Sequence, residues 1–114
     1  MKNIKVICKK NEIMGLLDFL NGDKTEKIKD FITRDALIID VRTIGEFQRG
    51  AIRGSKNIPL QNLNSQISSI LKLNKPVITC CASGMRSRNA ASILKNQGIE
   101  VINGGGWQSL SSKL

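Results

Sequence analysis

The chain has 114 residues, 40% hydrophobic and 24% charged, enough for one ordinary soluble globular domain and too few for two cores. It has no histidine, which excludes a Cys-His or Ser-His dyad and removes the commonest metal ligand. The net charge is +9, and the three cysteines show neither the CxxC spacing of a zinc site nor a disulfide framework.

Ile4, Val6 and Cys8 alternate with lysines, as in a short strand. Ile13, Leu16, Leu17 and Leu20 fall at i, i+3, i+4 and i+7, one face of a short helix. Its apolar run is far too short for a membrane span, and no small-residue cleavage site follows. Residues 1–23 therefore read as an extension with a short amphipathic helix, and residues 24–114 as the domain proper. Asn21-Gly22-Asp23 is the turn between them.

Lys24 to Arg34 carries Ile28, Phe31 and Ile32 on one face and predicts a helix feeding a strand over Ala36–Ile39. Asp40 then stands at the carboxyl end of that strand, the edge where parallel α/β sheets bind ligands. Its structural alternative is to satisfy loop N–H groups or to pair with Arg42. Thr43-Ile44-Gly45-Glu46 has capping-box spacing, so a short helix starts after Thr43 and ends near Gly50. A short strand follows near Asn57-Ile58, closed by Pro59. Leu60, Leu63, Ile67, Ile70 and Leu71 predict a helix of about three turns, broken at Asn74-Lys75-Pro76.

Val77-Ile78-Thr79-Cys80-Cys81 reads as a buried strand, and Ala90, Ala91, Ile93 and Leu94 as a helical stripe that ends at Gly98. Ile99 to Ile102 is a last strand, Gly104-Gly105-Gly106 a turn, and Trp107 a core plug for the final helix. Strands alternating with helices argue an α/β fold with a parallel sheet.

The chemistry concentrates between strand and helix, in the six residues Cys81 to Arg86. Such a loop stacks backbone N–H groups around a small volume and aims a helix N-terminus into it, an anion cradle. The same field would hold a thiol at its start as thiolate. Arg86 adds a fork of donors suited to an oxyanion. Thiolate and anion site together mean nucleophilic attack on an anionic substrate. Successive strand residues point to opposite faces, so Cys80 and Cys81 cannot both look into the cradle.

Cys81-Ala82-Ser83-Gly84-Met85-Arg86-Ser87 resembles the active-site loop of the rhodanese family, sulfurtransferases that carry sulfur as a cysteine persulfide. Three more stretches resemble the family in order. Leu37 to Arg42 is similar to its first core strand, ending in Asp-x-Arg, and Glu46-Phe47 with Gly50 to Pro59 to its Glu-Phe…Gly-His-Ile segment. Asn103-Gly104-Gly105-Gly106-Trp107 is similar to its closing Gly-Gly…Trp.

The resemblance implies a central parallel sheet with helices on both faces. It implies Cys81 as nucleophile, Arg86 as oxyanion holder, and Ala82, Ser83, Gly84, Met85 and Ser87 around the substrate, with Asp40 and Arg42 in support. No metal or organic cofactor is needed. The donor would be a small anionic sulfane compound such as thiosulfate. The acceptor would be cyanide, a thiol or a protein cysteine, with a cysteine desulfurase as a candidate relay partner. The family's usual histidine is Ala51 here, a departure that touches tuning rather than the nucleophile.

Two rival readings stand beside it. One is a relay or regulatory module that takes sulfur from a protein partner. The other is a cysteine phosphatase, since Cys80 to Arg86 has that family's five intervening residues. From residue 51 onward the chain has eight bases against Glu100 alone, so the half with the loop carries +7. That charge is either a solvated surface or a field that steers an anion or an acidic partner. No aromatic interleaving accompanies it, so nucleic-acid binding is not expected. Free adjacent thiols suit a reducing cytoplasm.

Overall fold

A computed structural model describes residues 23–114. The strand expected around Ile4, the amphipathic helix through Leu20, and Cys8 lie outside the described residues. The first described element is α1 (Asp23–Thr33), which buries Ile28 and Phe31. Asp35, at φ 63°, turns the chain into β1 (Leu37–Asp40), whose last two residues are buried. Then α2 (Ile44–Gln48) opens on the expected capping box: Thr43 Oγ1 accepts from the Glu46 N–H at 3.2 Å, and Glu46 Oε1 accepts from the Thr43 N–H at 3.0 Å. A two-residue strand, β2 (Lys56–Asn57), follows.

The helix expected from Leu60 divides in two. Leu60–Gln66 is a 3-10 turn, and only Ile67–Leu73 is α-helical (α3). The reason is local. Asparagine and serine are weak α-helix formers, and Ser65 Oγ donates to the Asn62 carbonyl, which an α-helix needs, at 2.8 Å. Asn74 ends α3 in the left-handed conformation, at φ 52°.

Next, β3 (Val77–Cys81) is buried at all five positions. The last elements are α4 (Met85–Asn96), β4 (Val101–Gly106) and α5 (Trp107–Ser111). The sheet order is β2-β1-β3-β4, every pair parallel. Ile39, Val41, Leu63, Ile70, Val77, Cys81, Ala90 and Leu94 form a core on one face, under α3 and α4. Ile28, Phe31, Ile52, Ile78, Cys80 and Leu110 form the other, under α1 and α5. Helices thus cover both faces, as the fold reading required. Among the described residues, no helix is long and apolar enough to cross a membrane.

One expectation is corrected at the C-terminal end. The triple glycine is not a turn after a short strand; it is the second half of β4. A Cβ on Gly104 would lie 2.8 Å from Ile78 Cγ2 and 2.9 Å from the Thr79 carbonyl oxygen. One on Gly106 would lie 2.9 Å from the Ala82 carbonyl oxygen. Glycine is what allows β4 to run this close to β3 and its loop. The β3–β4 register shifts between Thr79 and Cys81, so Asn103 pairs with Thr79 and Gly106 with Cys81.

Candidate active site

Every strand ends at the same edge, and all four deliver polar groups there. Cys81 is the last residue of β3 and faces the α4 side; Cys80 faces the α1 side, within the other core. The chain then reverses over Ala82, Ser83 and Gly84. Gly84 takes φ 106°, a conformation open to glycine and strained for other residues, and α4 starts at Met85. The unpaired N–H groups of this first turn converge on the Cys81 sulfur. The Gly84 N–H donates to it at 3.0 Å and the Ser87 N–H at 3.3 Å, and the Ser87 hydroxyl oxygen lies 3.4 Å away.

These contacts decide the thiol's acidity. Burial pushes the Cys81 thiol up, since its residue is only 1% exposed. A hydrogen bond with the Ser87 hydroxyl and those from the Ser87, Gly84 and Ser83 N–H groups outweigh burial, and the net shift is downward. Cys80 goes the other way. Burial, with Asp40 adding to it, raises that thiol to about 12. Two adjacent sulfurs therefore have opposite chemical characters.

Arg86 sits in the first turn of α4, and its guanidinium reaches across to α2. Nη1 and Nη2 donate to the two Glu46 carboxylate oxygens at 2.9 and 3.1 Å. Arg86 and the Thr43 cap hold the Glu46 carboxyl down at about 2, so the pair stays charged through mild acid. The sequence singled out Arg86; it singled out Glu46 as a capping residue and as part of a motif, not as the partner of Arg86. At the β1 end, Asp40 and Arg42 form a buried pair. Arg42 Nε is 2.9 Å and Nη2 2.8 Å from the Asp40 carboxylate, and Nη2 also donates to the Gly50 carbonyl at 2.7 Å. Asn57 Nδ2 donates to the Asp40 and Arg42 carbonyls, both at 3.0 Å. Trp107 is half-buried; its ring covers the Arg42 guanidinium at 4.7 Å while it packs on the Ile28 core.

Asn103, which sequence reasoning quoted only as part of a motif, enters behind Ser87. Its Oδ1 accepts from the Ser87 hydroxyl at 2.6 Å and from the Gly105 N–H at 2.9 Å. The available signal was its place just after the strand expected over Ile99 to Ile102 and just before the glycines.

Of the predicted site residues, Ala82, Ser83 and Met85 are exposed on the loop, and Ser87 is buried beneath it. A hollow of about 250 Å³ adjoins the loop through Arg86, lined also by Val41, Thr43, Pro59, Leu60 and Gln61. Hollows of about 290 and 380 Å³ lie around Arg34 and Glu100 and touch no residue of the loop. Among the described residues, no three His, Cys, Asp or Glu side chains cluster as a metal site requires.

Residues 24–113 match the model of the rhodanese-like domain. The chain is 39% identical over 83 residues to the uncharacterized protein YqhL of Bacillus subtilis, covering 71% of this chain and 65% of that one. It is 32% identical over 95 residues to a putative mitochondrial thiosulfate sulfurtransferase of Schizosaccharomyces pombe, covering 71% and 67%. These matches span about two thirds of each relative's length. The solved structure of a rhodanese with anions from E. coli superposes with a TM-score of 0.60 at 32% identity, over 65% of this chain and 89% of that one. A family match from Lys24 to Lys113, over a parallel sheet whose edge presents a hydrogen-bonded cysteine, settles the assignment: this chain belongs to the rhodanese-like family.

Proposed function

We propose that the protein is a sulfurtransferase that carries sulfane sulfur as a Cys81 persulfide. The observation that carries this reading is the convergence of the Gly84 and Ser87 N–H groups on a buried cysteine sulfur. The unit that performs it spans residues 24–114, and a reducing cytoplasm suits a free thiol of this kind.

In the first half-reaction, the Cys81 thiolate attacks the outer sulfur of thiosulfate. The S–S bond of the donor breaks, and sulfite leaves with its electron pair. Cys81 keeps the outer sulfur as a persulfide. In the second, cyanide or a thiolate attacks that terminal sulfur, and the Cys81 thiolate is the leaving group. The fixed N–H groups stabilise the sulfur anion at the start and end of each step. Arg86 serves the departing oxyanion, and to do so it divides its donors between Glu46 and the substrate. No step calls for a metal or organic cofactor.

The test is the intact mass after thiosulfate treatment, with fragmentation to locate the change. One added sulfur atom on Cys81 is expected; no increment, or an increment on another cysteine, would reject the mechanism. For Arg86, replacement by lysine keeps charge and loses the two-pronged geometry. Arg86→Lys is expected to lower kcat/KM for thiosulfate by about 1–3 kcal/mol of transition-state binding. Wild-type turnover in that variant would take Arg86 out of the reaction.

A second reading has its own support. Met85 is 68% and Ile44 59% exposed, apolar groups beside the loop and at the start of α2 that a small anion does not need. They favour a relay protein loaded by a partner's persulfide, a cysteine desulfurase being one such donor. Slow thiosulfate:cyanide turnover with fast loading from a desulfurase would select the relay; the reverse selects the free enzyme. The phosphatase reading needs Cys80 as nucleophile, and a core thiol with its proton held to about 12 gives it no support.

A further inference from the structure

The Ser87 hydroxyl has one proton and three neighbours able to accept it. Asn103 Oδ1 is at 2.6 Å, the Gly84 carbonyl oxygen at 3.2 Å and the Cys81 sulfur at 3.4 Å. The shortest contact is well inside the O–H···O range. The orientation of the Asn103 amide follows from its surroundings. Oδ1 accepts from the Gly105 N–H at 2.9 Å, and Nδ2 faces the Gly84 carbonyl at 3.3 Å. Turned over, the amide would set N–H against N–H and oxygen against oxygen. Asn103 is thus an acceptor toward Ser87, and the hydroxyl proton points to it. The Ser87 oxygen is left to accept from the Cys81 S–H.

The chain of donors therefore runs outward from the sulfur, from Cys81 through Ser87 to Asn103. A thiolate reverses it. Once Cys81 has lost its proton, Ser87 must turn its hydroxyl onto the sulfur, and Asn103 keeps the Gly105 N–H, so no buried group is orphaned. The Gly84 and Ser87 N–H groups are fixed donors in both states; the Ser87 hydroxyl is the one that can switch.

We infer that Asn103 is a positioning residue that competes with the Cys81 sulfur for the Ser87 proton, holding it in the thiol state and yielding it to the anion. The inference rests on the sulfur-transfer reading of Cys81, and deepens it by naming what sets the nucleophile's acidity. Among the described residues, the ionisable groups around the sulfur are Arg86 in its own loop, Cys80 beside it, Asp40 and Arg42 at the end of β1, and Glu46 on α2. From the other side, β4 and α5 bring none.

The experiment is the pH profile of Cys81 alkylation by iodoacetamide, read by mass spectrometry of the Cys81 peptide in the full chain. Asn103→Ala frees the Ser87 proton for the sulfur, so the midpoint is expected to fall by about half to one pH unit, the size of one hydrogen bond. Ser87→Ala should raise it, and in that background Asn103→Ala should have no further effect. An unchanged or higher midpoint in folded Asn103→Ala, or an equal shift in both backgrounds, overturns the inference. If Asn103→Ala does not fold, Asn103→Asp carries the test, because it keeps an acceptor for Gly105. Its midpoint should rise, and rise less when Ser87 is alanine; equal rises in both backgrounds overturn the inference. Alkylation needs no sulfur donor. A wild-type protein that takes no sulfur from thiosulfate would therefore defeat the functional reading while leaving these shifts intact.

Discussion

Cys81→Ser is expected to abolish sulfur uptake from thiosulfate, and Cys80→Ser to keep most of it. The two side chains differ by one position and therefore by a whole face of the sheet. Cys81 lies against α4 under fixed N–H donors that lower its pKa. Serine there keeps the donors but presents a hydroxyl, which they cannot ionise near neutral pH. Cys80 lies among Ile28, Phe31, Ile78 and Leu110, and its thiol is raised to about 12. Serine at that position buries an unpartnered hydroxyl, a stability cost of about 1–3 kcal/mol with little effect on the chemistry. The readouts are persulfide formation by mass spectrometry and unfolding in urea. Uptake by Cys81→Ser, or a stalled and loaded Cys80→Ser, would assign the roles differently.

The largest stability effect is expected at the other strand end. Arg42→Leu leaves the Asp40 carboxylate, 0% exposed, without its bidentate partner. It also removes the donor to the Gly50 carbonyl and the cation beneath Trp107. A buried charge so stranded costs roughly 3–5 kcal/mol. Asp40→Leu combined with Arg42→Leu should recover part of that loss, because no charge then remains uncompensated. Chemical denaturation measures both variants. A change below about 1 kcal/mol in Arg42→Leu would show that the pair is dispensable to the fold. Asp40 accepts from the Arg42 guanidinium and N–H, the pairing that one of its two sequence readings named.

What was legible in the sequence followed from short-range periodicity. Two-residue alternation put Cys80 and Cys81 on opposite faces, and the capping box located the start of α2, which ends at Gln48, short of Gly50. The strand–loop–helix at Cys81 was legible for the same reason, since β-branched residues, a glycine and an apolar stripe stand in sequence. What stayed hidden depends on pairs distant along the chain. Glu46 meets Arg86 across 40 residues and Asn103 meets Ser87 across 16, distances over which no local pattern operates. The glycines of β4 misled because a run of three ordinarily signals a turn. Here steric contact with Ile78, Leu110 and the Ala82 carbonyl demands them inside a strand. Leu60 to Gln66 shows the converse, an apolar stripe of helical spacing that runs as 3-10, with Ser65 bonded back to the Asn62 carbonyl.

The stacking of Trp107 on Arg42 has an optical consequence. The chain has one tryptophan and no tyrosine, so its near-ultraviolet emission comes essentially from that single indole. The indole rests on a guanidinium whose Nε–Nη2 edge is tied to Asp40, and its ring lies 3.2 Å from where a Cβ on Gly50 would stand. Movement of the β1 end, of the segment at Gly50 or of the start of α5 therefore changes what quenches the fluorophore. The protein carries its own dye at the edge of the sheet where the cysteine sits, and stopped-flow emission can follow that edge during turnover without any label.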